Sequence, residues 1–270
     1  MKLVKTKNYE IHSFLDNLKG NNVGEIIDNC INEVPLIKGI DYAGYKTKEE
    51  LTNDLDLFLL DKNREHKYFS INEKTHSKIL EIVKTTLEKL KQYQTKKEFV
   101  FIFPCFDKFT FERMNGSGGF CPKEEVILIF LNTMAKDWEK ILPFTIAHEF
   151  AHSTSSYYRG GDYNISQGLI FEGLAEHFRE NVLGGEPAPF SKAINKEEIL
   201  QNIEKIKPLL EINNLNLHFE IFFGQGGNYP LWAGYSIGYY LVEKHLENKK
   251  NVDWNNLLRI NPNEILSEVL

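Results

Sequence analysis

Residues 145–152 read Thr145-Ile146-Ala147-His148-Glu149-Phe150-Ala151-His152. His148, Glu149 and His152 match the pattern HExxH, and the spacing has a mechanical meaning. Residues four apart stack on one face of an α-helix about one turn apart, so two imidazoles can share one metal ion. Glu149 is rotated by about 100° from His148, which puts its carboxylate beside the metal. There it can hold a water instead of coordinating, the position of a general base. A chance match would turn up roughly 0.02 times in a chain of this composition. The bland alternative is an ordinary core helix, with Ile146, Ala147, Phe150 and Ala151 packing and the histidines satisfied by hydrogen bonds. Two histidines and a glutamate amid small and apolar neighbours are costly to bury without a compensating partner, and a zinc ion is that partner.

Catalytic zinc normally takes three protein ligands and keeps one position open for water, so a third ligand must come from further along the chain. A metzincin pattern is excluded, because position 158 is Tyr158 in place of the third histidine and position 155 is Ser155 in place of glycine. Asp162 lies 10 residues past His152, but its flanking residues match an aspartate-ligand site poorly. Glu172 stands 20 residues past His152 in Glu172-Gly173-Leu174-Ala175-Glu176, on an expected helix whose small Gly173 and Ala175 permit close approach to the motif helix. Glu172 is therefore the chosen ligand. Glu176, one turn on, is expected to accept a hydrogen bond from the non-coordinating nitrogen of a ligand histidine. Phe171, Leu174, Ala175 and Phe178 define the buried face of this helix, bordered by Glu172 and Glu176, while Arg179 and Glu180 read as its solvated face.

Working outward, two β-like runs, Glu98 to Cys105 and Glu125 to Leu131, are joined by a connector holding Asn115, Gly116, Ser117, Gly118 and Gly119 and imply a small sheet. After a short helical stretch near Met134 to Lys140, Pro143 reads as a first-turn residue of the motif helix, which runs to about Ser155. Further helices are expected from a Ser166 cap to Leu183 with Gly184 as the stop, and over Lys196 to Leu210, Leu231 to Asn248, and Asn261 to Leu270. Upstream, Tyr9 to Leu18, Val23 to Val34, Lys48 to Leu60 and His76 to Tyr93 show helical periodicity. A helical N-terminal segment over residues 1–95 and a second domain over 96–270 follow.

The chain has 270 residues, 42% hydrophobic, with a formal net charge of -6, ample for a buried core and unsuited to gripping phosphate backbones. Nucleic acid is excluded as a partner on that ground. No apolar run approaches the ~20 residues needed to cross a bilayer, and the N-terminus lacks a secretory h-region, so the expected compartment is the cytoplasm. Cys30, Cys105 and Cys121 show no CxxC pair and are expected to be buried thiols. His12, His66, His76, His177 and His245 have no partner at ligand spacing.

The HExxH of residues 148–152, followed by Glu172 and Glu176, resembles the gluzincin clan of zinc metallopeptidases, with Glu176 where the clan carries Asp. Together with Trp232-Ala233-Gly234-Tyr235-Ser236-Ile237-Gly238-Tyr239, these stretches resemble a bacterial family of unknown function catalogued as predicted zinc-dependent proteases, over about residues 98–248. The expected fold is α+β and zincin-like: a small mixed sheet packed on the motif helix, with a mostly helical C-terminal part. The resemblance to zincins implies that the strand before the motif helix, Glu125 to Leu131, is an edge strand that binds an extended peptide, with the 116–119 loop as one lip. The expected chemistry is Zn2+-dependent amide hydrolysis with His148, His152 and Glu172 as ligands and Glu149 as base. Tyr235 is the chosen oxyanion donor, ahead of Tyr157 and His218. The expected partner is a peptide or protein substrate, with no nucleic acid and no membrane; the sequence leaves the oligomeric state open. The competing readings are a non-catalytic zinc-containing peptide-binding or regulatory module and a hydrolase of non-peptide amides.

Overall fold

A computed structural model describes residues 1–16, 18–20, 22–59, 71–158, 160, 162–247, 249 and 251–270, with the side chains of 56–59 left aside. The readings that touch Leu60, His66, Gly161 and Asn248 lie outside these residues. The fold is α+β and mostly helical, with a mixed five-stranded sheet. Contacts divide the chain into two compact units, Met1–Ser153 and Thr154–Leu270.

The first unit runs β1 (Lys2–Lys5), β2 (Tyr9–Ser13), α1 (Val23–Asn32), β3 (Leu36–Ile37), β4 (Asp41–Tyr42), α2 (Lys48–Leu59), α3 (Glu73–Leu90), β5 (Glu98–Pro104), α4 (Lys108–Arg113), β6 (Ser117–Lys123), β7 (Val126–Leu131) and α5 (Trp138–Thr154). The five-stranded sheet has the order β1-β2-β5-β7-β6. β2, β5 and β7 are mutually parallel, and β1 and β6 close the two sides antiparallel. β5 and β7 read as unbroken apolar runs because both of their faces are covered; every residue in them is buried. Phe99, Phe101 and Phe103 of β5 and Val126, Leu128 and Phe130 of β7 share one core with Ile26, Ile27 and Ile31 of α1 and Leu51 and Leu55 of α2. Each such side chain contributes about 1.5–3 kcal/mol by leaving water. Val100, Ile102, Ile127 and Ile129, of the opposite parity, are buried on the other face.

Five expectations for this unit are corrected. Tyr9 to Ser13 is a buried strand, not a helical stretch: β2 pairs in register with β5, from Tyr9 opposite Glu98 to Ser13 opposite Ile102, and this tertiary pairing outweighs local periodicity. The N-terminal segment is therefore not purely helical but supplies two strands of the sheet. Glu125 to Leu131 does not form an edge, because β7 lies between β5 and β6. The glycine-rich connector is itself largely strand: β6 starts at Ser117 and occupies the edge. Pro143 does not begin a helix but lies inside α5. A helix tolerates an interior proline at a cost of about 3 kcal/mol, and burial of Leu142 before it and Ile146 after it offsets that cost.

The second unit is helical: α6 (Ile165–Leu183), α7 (Lys196–Ile206), α8 (Leu215–Phe223), α9 (Ala233–Leu246), α10 (Trp254–Leu257) and α11 (Pro262–Val269). Asn164, not Ser166, caps α6. Its side chain accepts from the N–H of Gln167 while Gln167 reaches back to the Asn164 N–H, a capping box. Gly184 ends the helix with φ 71°, and Asn261 caps α11 with Pro262 in its first turn, as read from the sequence. α8 was not anticipated. Gly173 of α6 and Gly238 of α9 bring these two helices together: a Cβ on Gly173 would overlap the Gly238 carbonyl, and one on Gly238 would overlap the Leu169 carbonyl. The small size of Gly173, read as room for the motif helix, serves α9 instead.

Glu98 opens β5 at 2% exposure. Burial raises its carboxyl to about 8, against a lowering hydrogen bond with Ser153. The native state therefore holds a proton that the unfolded chain, near the ordinary 4.5, releases. Stability from this group is complete below the unfolded value and is lost as pH rises through the folded one. Glu98→Gln, neutral throughout, is expected to flatten the fall in unfolding temperature between pH 5 and 8, read by thermal denaturation across that range (about three pH units).

Candidate metal centre

α5 carries His148 and His152 one turn apart, as the spacing requires, and their Nε2 atoms are 3.3 Å from each other. The rings stand edge to face, with centroids 5.0 Å apart and planes at 78°. Both are buried. One ligand atom each from His148, His152 and Glu172 fall within 4.8 Å of one another, the single such group of three found among the described residues. Two imidazole nitrogens and one carboxylate oxygen form the donor set that zinc takes in open sites. The three residues present thus fit the metal in number, type and proximity.

Glu149 projects from α5 toward the edge strand β6. Along one face of this strand, Ser117 donates from Oγ to Oγ1 of Thr145 at 2.9 Å, and Thr145 precedes Glu149 by one helical turn. A Cβ at position 119 would fall on the Glu149 side chain, 2.7 Å from Oε1. Two residues further, the Cys121 thiol is raised by burial and then by the charge of Glu149. Strand period and helix period thus bring positions 117, 119 and 121 alongside 145 and 149. By pattern alone Gly119 belongs to a connector and Cys121 is a buried thiol. The signal available was a glycine inside a strand, which marks a close approach by another group.

Glu172 and Glu176 are buried on α6, at 9% and 2% exposure. Glu176 Oε1 accepts from Arg179 Nη2 and from the Ala188 N–H at 2.6 Å. Arg179 is not on a solvated face, as its charge suggested; it is 1% exposed and donates also to the carbonyls of Gly184 and Glu186 at 3.0 and 2.9 Å. The i, i+3 spacing of Glu176 and Arg179 was the missed clue. This bonding ties the chain after α6 back onto the helix.

His218 of α8 is stacked on Phe222, with centroids 4.1 Å apart. Burial lowers its pKa, and the charge of Glu172 opposes that shift, which identifies Glu172 as the charged neighbour of this imidazole. Tyr235 packs among Phe190, Phe222 and Phe223 at centroid distances of 5.0, 5.2 and 5.9 Å. The small Gly234 beside it receives the Phe222 ring, to which a Cβ would come within 2.7 Å. Tyr157 is 41% exposed. Asp162 accepts from Asn213 at 2.8 Å. Four of the remaining histidines have polar neighbours of their own: Nε2 of His12 lies 3.0 Å from Glu10, His76 bonds Asp16 and Ser13, His177 bonds the Tyr239 carbonyl, and Nδ1 of His245 lies 2.6 Å from Glu268. All three cysteines are buried thiols.

Two measurements check this arrangement. His148→Ala or His152→Ala removes one of three donors, and metal content by mass spectrometry after dialysis is expected to fall from about one zinc per chain to below about a tenth. Arg179→Ala takes the guanidinium away from the buried Glu176 carboxyl and is expected to cost about 3–5 kcal/mol in denaturant unfolding, whereas replacing both by apolar residues costs much less.

The chain is 25% identical over 185 residues to the uncharacterized protein YjfC of Bacillus subtilis (strain 168), an alignment that takes in 64% of this chain and 61% of that relative. No solved structure matches it. The model of the family described as Predicted Zn-dependent protease (DUF2268) matches residues 79–267, a span that holds β5 to β7, the HExxH helix and nearly all of the second unit. The chain belongs to that family.

Proposed function

We propose that this chain is a zinc-dependent metallopeptidase of zincin-like architecture and gluzincin-type ligand set, acting on peptide bonds in the cytoplasm. The observation that carries the reading is the buried grouping of His148, His152 and Glu172, on a helix that also presents Glu149. An open three-ligand site beside a carboxylate that does not belong to the ligand group suits catalysis better than a structural site, which closes with four ligands. Zinc bound there supplies a Lewis acid that polarises a substrate carbonyl and makes a water acidic.

The remaining work falls to side chains. Glu149 takes the proton of the attacking water and passes it to the leaving amine, so the amine departs neutral. Its burial, at 7% exposure, keeps bulk water from competing for that proton. Charge developing on the carbonyl oxygen needs a donor. Tyr235, His218 and Tyr157 are the candidates; the proximity of His218 to the charge of Glu172 supports it, and Tyr235 joins the same aromatic group through Phe222. Glu176, paired with Arg179, supports the ligand group from the next turn of its helix. β6, as the edge strand beside Glu149, is the element to which an extended peptide would add by main-chain hydrogen bonds.

The test compares wild type with Glu149→Gln for zinc content and for cleavage of an unfolded protein and a quenched peptide library. About one zinc in each is expected, with cleavage by the wild type alone and a loss in the variant on the order of 100-fold or more. Zinc in both with no cleavage by either would favour a peptide-binding or regulatory module, and cleavage of small amides alone a non-peptide hydrolase.

A further inference from the structure

Gly119 lies inside an edge strand, where a glycine weakens the strand and a side chain normally improves it. Its φ is outside the left-handed region, so the backbone does not require glycine there. The neighbouring Gly118 shows the contrast. A Cβ on Gly118 would meet Thr110 Cγ2 at 3.4 Å, an ordinary contact, whereas one on Gly119 would run into the Glu149 side chain, 2.7 Å from Oε1 and 2.8 Å from Cδ. All three atoms nearest to that Cβ belong to Glu149. The volume that a residue at 119 would fill is occupied by the Glu149 carboxylate and its stem.

From this we infer that Gly119 is a positioning residue: the missing side chain is the socket that holds the Glu149 carboxylate in place. The inference rests on Glu149 being the base, but the steric relation exists whatever the reaction. Around the socket, Ser117 is pinned to Thr145 by a hydrogen bond of 2.9 Å and Cys121 is fully buried, its Sγ donating to the Lys123 carbonyl at 3.1 Å. The strand is also paired with β7 through this stretch, with Gly119 opposite Ile129, so it is held around position 119. A methyl group there cannot be accommodated by sliding β6, and the group that gives way is the flexible Glu149 side chain. Displacing a base by about 1 Å costs on the order of 100-fold in rate. Zinc content should not change, since the displaced side chain is not one of the three ligands.

The experiment uses the full chain with G119A, E149A and G119A/E149A, and G118A as the control for stability. Zinc content and unfolding temperature are measured for each, the latter also on zinc-free protein, with kcat and KM on whichever peptide the wild type cleaves. The expected result is that G119A keeps about one zinc per chain and a KM within about twofold, while kcat falls about tenfold to 100-fold. In zinc-free protein, G119A lowers the unfolding temperature by a few degrees when Glu149 is present and by about none in the E149A background, where the socket is empty. If G119A fails to fold, recovery of folding in G119A/E149A supports the socket and its absence overturns it. A G119A enzyme with kcat within about twofold of wild type, or an equal loss of stability in both backgrounds, overturns the inference. If the wild type cleaves nothing, the peptidase reading fails and the stability comparison alone decides: a cost confined to the Glu149 background supports the socket, and an equal cost or none overturns it.

Discussion

Two imidazole nitrogens held 3.3 Å apart in the interior are the constraint on which the rest of this site depends. Imidazoles buried this closely are costly unless their nitrogens are well partnered. The arrangement becomes favourable when a cation draws both lone pairs to one point, and the carboxylate of Glu172 adds the negative charge that such a cation needs. α5 must therefore be rigid and exact in its period through residues 148–152. The interior Pro143 is confined to its first half, and the turns that carry the donors keep an unbroken backbone.

The same economy of buried charge recurs on α6 and along the sheet. Glu176 accepts from Arg179, which also donates to two main-chain carbonyls. A buried ion pair of this kind adds little net stability against an apolar pair of the same volume, but it specifies geometry, because either partner alone is strongly unfavourable. Glu98 solves the same problem differently, by keeping its proton. At Glu149 the solution is steric: the carboxylate occupies space that the edge strand leaves empty at Gly119. Glu98, Glu149 and Glu176 thus each have a protonation or a position set by a particular neighbour, a pattern found where function makes demands on titratable groups.

Much of the site was legible because its logic is local. The i, i+4 relation of His148 and His152 and the rotation of Glu149 follow from helix geometry alone, and Glu172 followed from the need for a third donor on a nearby amphipathic helix. The caps also read through: Asn261 with Pro262, and Gly184 after Leu183, act within one turn of chain. What did not read through was long-range. Tyr9 to Ser13 became a strand because β5 offers it a partner 89 positions along, from Tyr9 to Glu98, and the edge of the sheet passed from 125–131 to 117–123 because strand order is a property of the whole sheet. Arg179 looked solvated because charge is usually outside; only the return of residues 184–188 over α6 gave it acceptors.

By itself, then, the sequence determined the layout of the proposed chemistry on the helix: which side chains share a face, at what spacing, and on which side Glu149 stands, since these depend on a period built into the backbone. The tertiary structure decided the surroundings of that chemistry. It assigned the edge strand, buried Arg179 against Glu176, spent the glycines of α6 and α9 on each other, and set Gly119 against Glu149. Those outcomes depend on which distant segments pack together, and no local period encodes that.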